Sequence, residues 1–400
     1  MRALQILQER LGIALDFMHA KRTAAFWRAV EGLLEGQRLW LTALGRSLPG
    51  TCSDKHRIKA VDRLLGSAAI QLAMVDLYAA LAKLLLRRIQ RPVILVDWTG
   101  ADPGFGVLSA TLCFRGRALV LFSRTFPKNR KSSPRAEREF LEDLVRVIPK
   151  SSKPIIATDA GFLFAWFDAV RACGWDYIGR LRGKTLCLQL EQQWMRLPDV
   201  HTLARRKPRD LGSVVVGRTL LREERIVLSA IPKLKGRKKI GRNGLPRRST
   251  ADRQRRSAAR EPWVLVTSLS DPARVVVEAY RMRMQIEETF RDVKSHRYGW
   301  SAEDIRSKNA KRVDVLLLVG AFAAVAMHII GLAAGASDLQ RGFQANTLRS
   351  RPVFSTFFLA KLTIARGYDA LLPFPLLHDA ARKLKTLVAA ASLHPRPNPA

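Results

Sequence analysis

The segment Arg91-Pro92-Val93-Ile94-Leu95-Val96-Asp97-Trp98-Thr99-Gly100 joins an apolar run to an acidic, turn-prone end. Val93–Val96 is short, apolar and rich in β-branched residues, as in a strand buried on both faces, and it runs into an aspartate. A second run of the same kind, Pro154-Ile155-Ile156-Ala157-Thr158, ends on Asp159. Between them, two alternating runs, Val107–Phe114 and Ala118–Phe126, flank Arg115-Gly116-Arg117, which predicts a hairpin. A helical pattern follows over Ala136–Ile148. Beyond Asp159 come a helical run, Phe162–Ala172, and a strand, Trp175–Leu181. The order strand, hairpin, helix, strand, helix, strand predicts an α/β fold with a mixed sheet flanked by helices. It also places Asp97 and Asp159 at the carboxyl ends of central strands, where open α/β sheets hold ligands.

Upstream, residues 1–91 read as helices, with apolar positions at helical spacing in Met1–Ala20, Ala24–Leu44 and Ala68–Ile89. Ser53–Ala60 is basic and begins with N-cap residues. It reads equally as a nucleic-acid-contacting helix and as an ordinary solvated helix face. Downstream of a core segment over 92–183, residues 184–261 read as a β-rich basic insertion. Short strand-like runs at Thr185–Leu190, Val214–Leu221 and Arg225–Ile231 lead into a cationic stretch, expected to be mobile, from Lys233 to Arg260. Trp263–Ser268 restores a buried strand, and Asp271-Pro272 opens a long helix, so residues 262–340 are expected to complete the core. Residues 341–400 read as a C-terminal helical region ending in an irregular, disordered tail from His394.

Composition narrows the partners. The chain has 400 residues, enough for two or three folded units, and 48% of them are hydrophobic. Lys and Arg number 69 against 34 Asp and Glu, a net charge of +35. So positive a surface attracts polyanions, and counterion release favours their binding. Nucleic acid is the leading partner, because no lysine-rich amphipathic anchor for a membrane surface is visible. Val315–Ala336 is long and apolar enough to span a bilayer. Its Ala and Gly content, its His328 and its isolation in a cationic chain favour a helix buried in the protein core. The four cysteines, Cys52, Cys113, Cys173 and Cys187, have no metal-ligand spacing and read as small residues in a reducing compartment. The first twenty residues carry charges throughout and contain no apolar stretch of signal-peptide length.

The segment Tyr280–Lys294, YRMRMQIEETFRDVK, carries the densest chemistry. At about 100° per residue from Tyr280, Arg283 falls near 300°, Lys294 near 320° and Glu287 near 340°. Met282, Ile286, Phe290 and Val293 form an adjacent apolar stripe, and Arg291 stands at the edge of the charged face. One carboxylate among several cations fits a surface ion-pair network, but it also fits phosphates bound beside a metal ion.

The spacing Tyr280-x2-Arg283-x3-Glu287-x6-Lys294 resembles the Y-x2-R-x3-E-x6-K signature of the insertion-sequence 4 (IS4) family of DDE transposases, and the resemblance extends over roughly Leu95–Ile330. It implies an RNase H-like catalytic core with a β-rich insertion and helical N- and C-terminal regions, the first of these binding DNA. It also implies that Asp97, Asp159 and Glu287 are the catalytic, metal-binding carboxylates. They would hold two Mg²⁺ or Mn²⁺ ions for DNA cleavage and strand transfer. Tyr280, Arg283 and Lys294 would contact DNA phosphates. Trp263, 17 residues before Tyr280 in a W-x-L-x-T-S context, would stack a flipped base, against the alternative of core filling at a strand start. The implied partners are the terminal inverted repeats of an element, target DNA and a second copy of the chain in the DNA complex. A cytoplasmic protein of a bacterium, associated with its nucleoid, is the implied setting. Met284 departs from the Trp that often follows the signature Arg. His19, His56, His201 and His328 share no ligand spacing, and His296 suits a DNA contact or a solvated side chain. Two alternatives share the carboxylates: an RNase H-like nuclease without strand transfer, and an inactive or domesticated DNA-binding derivative.

Overall fold

The computed structural model describes residues 1–101, 104–114, 116–183, 186–217, 221–230, 261–296, 299–345 and 351–393. In chain order the main elements begin with six helices, α1 (Arg2–Leu11), α2 (Ala20–Gly36), α3 (Leu41–Arg46), α4 (Asp54–Leu65), α5 (Ala68–Leu72) and α6 (Met74–Leu86). Strands β1 (Val93–Ala101), β2 (Phe105–Phe114) and β3 (Arg117–Pro127) precede α7 (Pro134–Val147) and β4 (Ile155–Thr158). Then come α8 (Phe164–Ala172), β5 (Asp176–Leu181), β6 (Cys187–Leu190), β7 (Gln193–Arg196), β8 (Arg209–Gly217), β9 (Arg222–Ser229) and β10 (Trp263–Thr267). The remainder is helical: α9 (Ala273–Arg281), α10 (Met284–Lys294), α11 (Ala310–Ala336), α12 (Thr356–Ala365) and α13 (Phe374–Ala390). The fold is mixed α/β with strands flanked by helices, as expected, and is consistent with an RNase H-like sheet.

The chain divides into two compact units, Met1–Ile155 with Arg283–Ala400, and Ile156–Met282. In the first, the strands lie in the order β3-β2-β1, all antiparallel. Val93, Ile94, Leu95 and Val96 are each at most 1% exposed, which explains the unbroken apolar run: both faces of β1 are covered. Helix α11 packs on β3, α2, α12 and α13. Asn309 caps it, its side-chain oxygen accepting from the Arg312 amide. In its most apolar stretch 89% of the residues are buried inside the protein, so its hydrophobicity belongs to a core helix, as the sequence predicted.

In the second unit the order is β4-β5-β10-β9-β8-β6-β7. Strand β10 pairs antiparallel with β5 on one side and with β9 on the other. The strands of the expected insertion therefore extend the sheet to which β10 belongs. Under them, the Tyr177 hydroxyl donates to buried Glu224 at 2.5 Å, and Arg171 bonds both. The cationic stretch expected to be mobile, from 233 to 260, and the tail from His394 lie outside the described residues.

Two local readings change. Strand β1 does not stop at Asp97 but continues to Ala101. Asp97 faces Ser109 and Ala101 faces Phe105 across the ladder to β2, so backbone pairing carries the strand beyond the end of its apolar run. The long helix from Asp271 is also interrupted. Met282 and Arg283 keep helical torsions but stand outside both α9 and α10, and the Ile286 amide bonds Arg283 O in a tighter i→i+3 turn at 3.2 Å. Counting 100° per residue from Tyr280 to Lys294 therefore does not run along one regular helix. A short edge strand, β7, went unpredicted, because its side chains are mostly exposed and carry no apolar alternation.

Candidate active site

Asp97 stands in the middle of β1, where extended backbone directs successive side chains to opposite faces. One carboxylate oxygen, Oδ1, accepts from the Trp98 amide at 2.8 Å. The other, Oδ2, lies 3.2 Å from Nη1 of Arg283, a residue 186 positions away in the chain. Nη2 of the same guanidinium reaches Oε1 of Glu287, also at 3.2 Å. Asp97 and Glu287 thus meet on one cation. The side chains of Asp97 and Arg283 are 15% and 12% exposed, whereas Glu287 is 52% exposed. Glu287 sits in the first turn of α10, where the unpaired amides of a helix start favour a carboxylate.

Helix α10 is held against β3 by polar contacts. Ile286, Thr289 and Asp292 are its buried residues. Thr289 Oγ1 accepts from the Ala118 amide at 2.6 Å and lies 3.1 Å from Ala118 O. Asp292 Oδ2 accepts from Arg117 Nε at 2.5 Å. Burial pushes the Asp292 carboxyl up from the usual carboxylate range, while Arg117 pulls it back down. The Trp98 indole, beside Asp97, donates to Glu137 on α7 at 3.3 Å. These supporting residues, Arg117, Thr289, Asp292 and Glu137, were not singled out from the sequence. The signal available was two polar residues on the core-facing side of α10, and their partners lie far away along the chain.

Lys294 lies two turns beyond Glu287, about 10 Å along α10 at 1.5 Å per residue. It lines a cavity of about 300 Å³ within the first unit, together with Phe290, Val293, Trp300 and His328. Phe290 and Val293, expected in the buried stripe, thus face this cavity. His328 bonds Thr356 through Nδ1 at 2.8 Å and is buried, a structural position. Arg291 pairs with Glu288 at 2.6 Å, an exposed contact one turn apart.

Three expected site residues lie in the second unit. Asp159 follows β4 directly, and its Oδ1 accepts from the Gly161 amide at 2.8 Å, closing an Asx turn. Trp263 opens β10 and meets Tyr280 edge to face, with ring centroids 5.0 Å apart. Tyr280 is 3% exposed, which makes it a core residue of that unit.

Among the described residues, no three or more His, Cys, Asp or Glu side chains are grouped to hold a metal ion. The donors of the first unit nevertheless suit one. Asp97 and Glu287 carry hard oxygen donors of the kind Mg²⁺ and Mn²⁺ prefer, and both face a single positive group. The model of a family described as a transposase DDE domain matches residues 89–324, a span containing Asp97, Asp159, Trp263, Tyr280, Arg283, Glu287 and Lys294. No curated protein matches the chain.

Proposed function

Because the chain belongs to the transposase DDE-domain family, we propose that it is the transposase of an IS4-type insertion sequence, which cleaves the ends of its element and joins them to target DNA. The observation that supports this reading best is the convergence of Asp97 and Glu287 on Arg283 inside the matched span. Asp97, Asp159 and Glu287 are proposed as the carboxylates that hold two divalent cations, Mg²⁺ or Mn²⁺. Cations held there supply Lewis-acid chemistry, lowering the pKa of the attacking water or 3′-hydroxyl and neutralising charge on the leaving oxygen.

The protein's own groups bind and orient DNA. Arg283 and Lys294 are proposed phosphate contacts through charge-assisted hydrogen bonds, with Tyr280 beside them in the signature. Trp263 is proposed as the stacking platform for an unpaired base. The net charge of +35 makes binding to inverted-repeat and target duplexes strongly salt-dependent. Holding two element ends for paired cleavage calls for two copies of the chain, and excision through a hairpin belongs to the same proposal. So do a DNA-binding role for residues 1–91, a catalytic core divided by the insertion, and a bacterial cytoplasmic setting.

The test combines cleavage and joining. The purified protein, Mn²⁺ and end-labelled duplexes carrying the inverted repeats that flank the gene are expected to yield nicked ends, and pre-cut 3′-hydroxyl ends are expected to become joined to a plasmid. Glu287→Gln should lower both rates by more than about a hundredfold, since even outer-shell partners of metal ligands are worth 10–100-fold. Cleavage without joining would leave only a nuclease. Full activity in Glu287→Gln would remove that residue from the chemistry.

A further inference from the structure

Arg283 is a proposed phosphate contact, yet its guanidinium is engaged elsewhere. Its two terminal nitrogens do not grip one carboxylate as a fork. They divide, Nη1 going to Asp97 and Nη2 to Glu287, each at 3.2 Å. The side chain is 12% exposed, tucked between the two acids it joins. Resting on the reading of Asp97 and Glu287 as metal ligands, we infer that Arg283 is an internal counter-cation that must release both carboxylates before a divalent cation binds them, and that this release frees its guanidinium for a DNA phosphate.

The charges favour such an exchange. Asp97 and Glu287 together carry two negative charges, and the guanidinium offsets one of them. It cannot yield by losing a proton, because an arginine side chain stays protonated in proteins. A divalent cation bound to the same oxygens would meet a like charge at contact distance, so the guanidinium has to move. When it moves, phosphate is the matching acceptor for its planar fork. The exchange keeps a cation on the two acids in either state, and it couples metal binding to DNA binding. The rival role, in which Arg283 simply clamps Glu287 in a ligating position, has the opposite thermodynamic sign. A clamp strengthens metal binding, whereas a counter-cation opposes it.

The sign is measured by titrating Mn²⁺ into the full-length protein without DNA, following free Mn²⁺ by electron paramagnetic resonance. Arg283→Gln is expected to bind Mn²⁺ about tenfold more tightly than wild type. Arg283→Lys should fall between, since it keeps the charge but a single ammonium does not span both acids. Thermal melts establish that both variants are folded. With a short duplex present, Mn²⁺ affinity should rise more in wild type than in Arg283→Gln, because linkage requires coupling through Arg283 to act in both directions. Unchanged or weaker Mn²⁺ binding in Arg283→Gln, with wild type binding normally, overturns the counter-cation role and leaves the carboxylate site intact. Failure of both proteins to bind Mn²⁺ overturns the inference and the metal site beneath it together.

Discussion

Replacing Thr289 by Val tests how α10 is held and whether that grip reaches the site. Val keeps the shape of the side chain and removes its hydroxyl. In the native protein that hydroxyl accepts from the buried Ala118 amide at 2.6 Å. Ala118 O at 3.1 Å and Gln285 O at 3.3 Å both lie within reach of its own proton. Thr289 is 8% exposed and Ala118 2%, so water does not substitute freely. The orphaned Ala118 amide costs about 1–3 kcal/mol and the lost bond from the hydroxyl about 1 kcal/mol, together about 2–4 kcal/mol. That is a large share of the ~5–15 kcal/mol typical of a folded domain. Function should suffer as well, because α10 would then be tied to β3 at this end by the pairings of Arg117 with Asp292 and Glu288, without the Thr289 bonds to the Ala118 backbone. Glu287 stands two residues before Thr289, and in its proposed catalytic role a displacement of about 1 Å costs on the order of a hundredfold in rate. Urea unfolding followed by tryptophan fluorescence gives the first quantity, and cleavage of labelled element ends gives the second. Thr289→Ser, which keeps the hydroxyl, should recover most of both. A Val variant as stable and active as wild type, or a Ser variant as damaged as Val, would refute this account of the docking.

Two buried titratable groups on α11 set opposite pH trends in stability. Burial raises Asp314 from 3.8 to about 7 although its Oδ1 accepts from the Thr125 amide at 2.7 Å. Burial, helped by the charge of Arg117, lowers His328 from 6.5 to about 3. The contribution of Asp314 is therefore greatest below its unfolded value and is lost as pH rises towards 7. That of His328 is complete above 6.5 and is lost as pH falls towards 3. At 1.36 kcal/mol per unit, Asp314→Asn should stabilise the protein at pH 8 by up to about 4 kcal/mol, and should expose an acid loss of stability that Asp314 offsets in wild type. Equal stability of variant and wild type at pH 8 would contradict this. Gly331 approaches α12 so closely that an added Cβ would stand 1.9 Å from Thr356 O, a main-chain atom with no easy retreat. Gly331→Ala is accordingly expected to cost at least about 3 kcal/mol by forcing α11 and α12 apart at the His328–Thr356 contact, and an unchanged melting temperature would rule out that packing constraint.

Patterns that arise from local or uniform environments were legible in the chain itself. Val93–Val96 and Ile155–Thr158 announce strands because both of their faces are buried, and the run through Val315–Ala336 announces a core helix for the same reason. The Arg283–Glu287 contact follows from spacing alone, since residues four apart meet on a helical turn. The charge of +35 points to a polyanionic partner from composition alone. Tertiary structure alone decided the rest. Asp97 lies mid-strand because β2 pairs beyond it, and the helix is interrupted at Met282 and Arg283 without a proline or glycine to mark the place. The partners Asp97 for Arg283, Ala118 for Thr289 and Arg117 for Asp292 are each more than 170 residues away. Such pairings depend on which strand a helix packs against, and a one-dimensional pattern of apolar and polar residues holds no record of that choice. The sequence singled out Arg283 by its spacing from Glu287, and only the folded chain showed that its guanidinium joins Glu287 to Asp97.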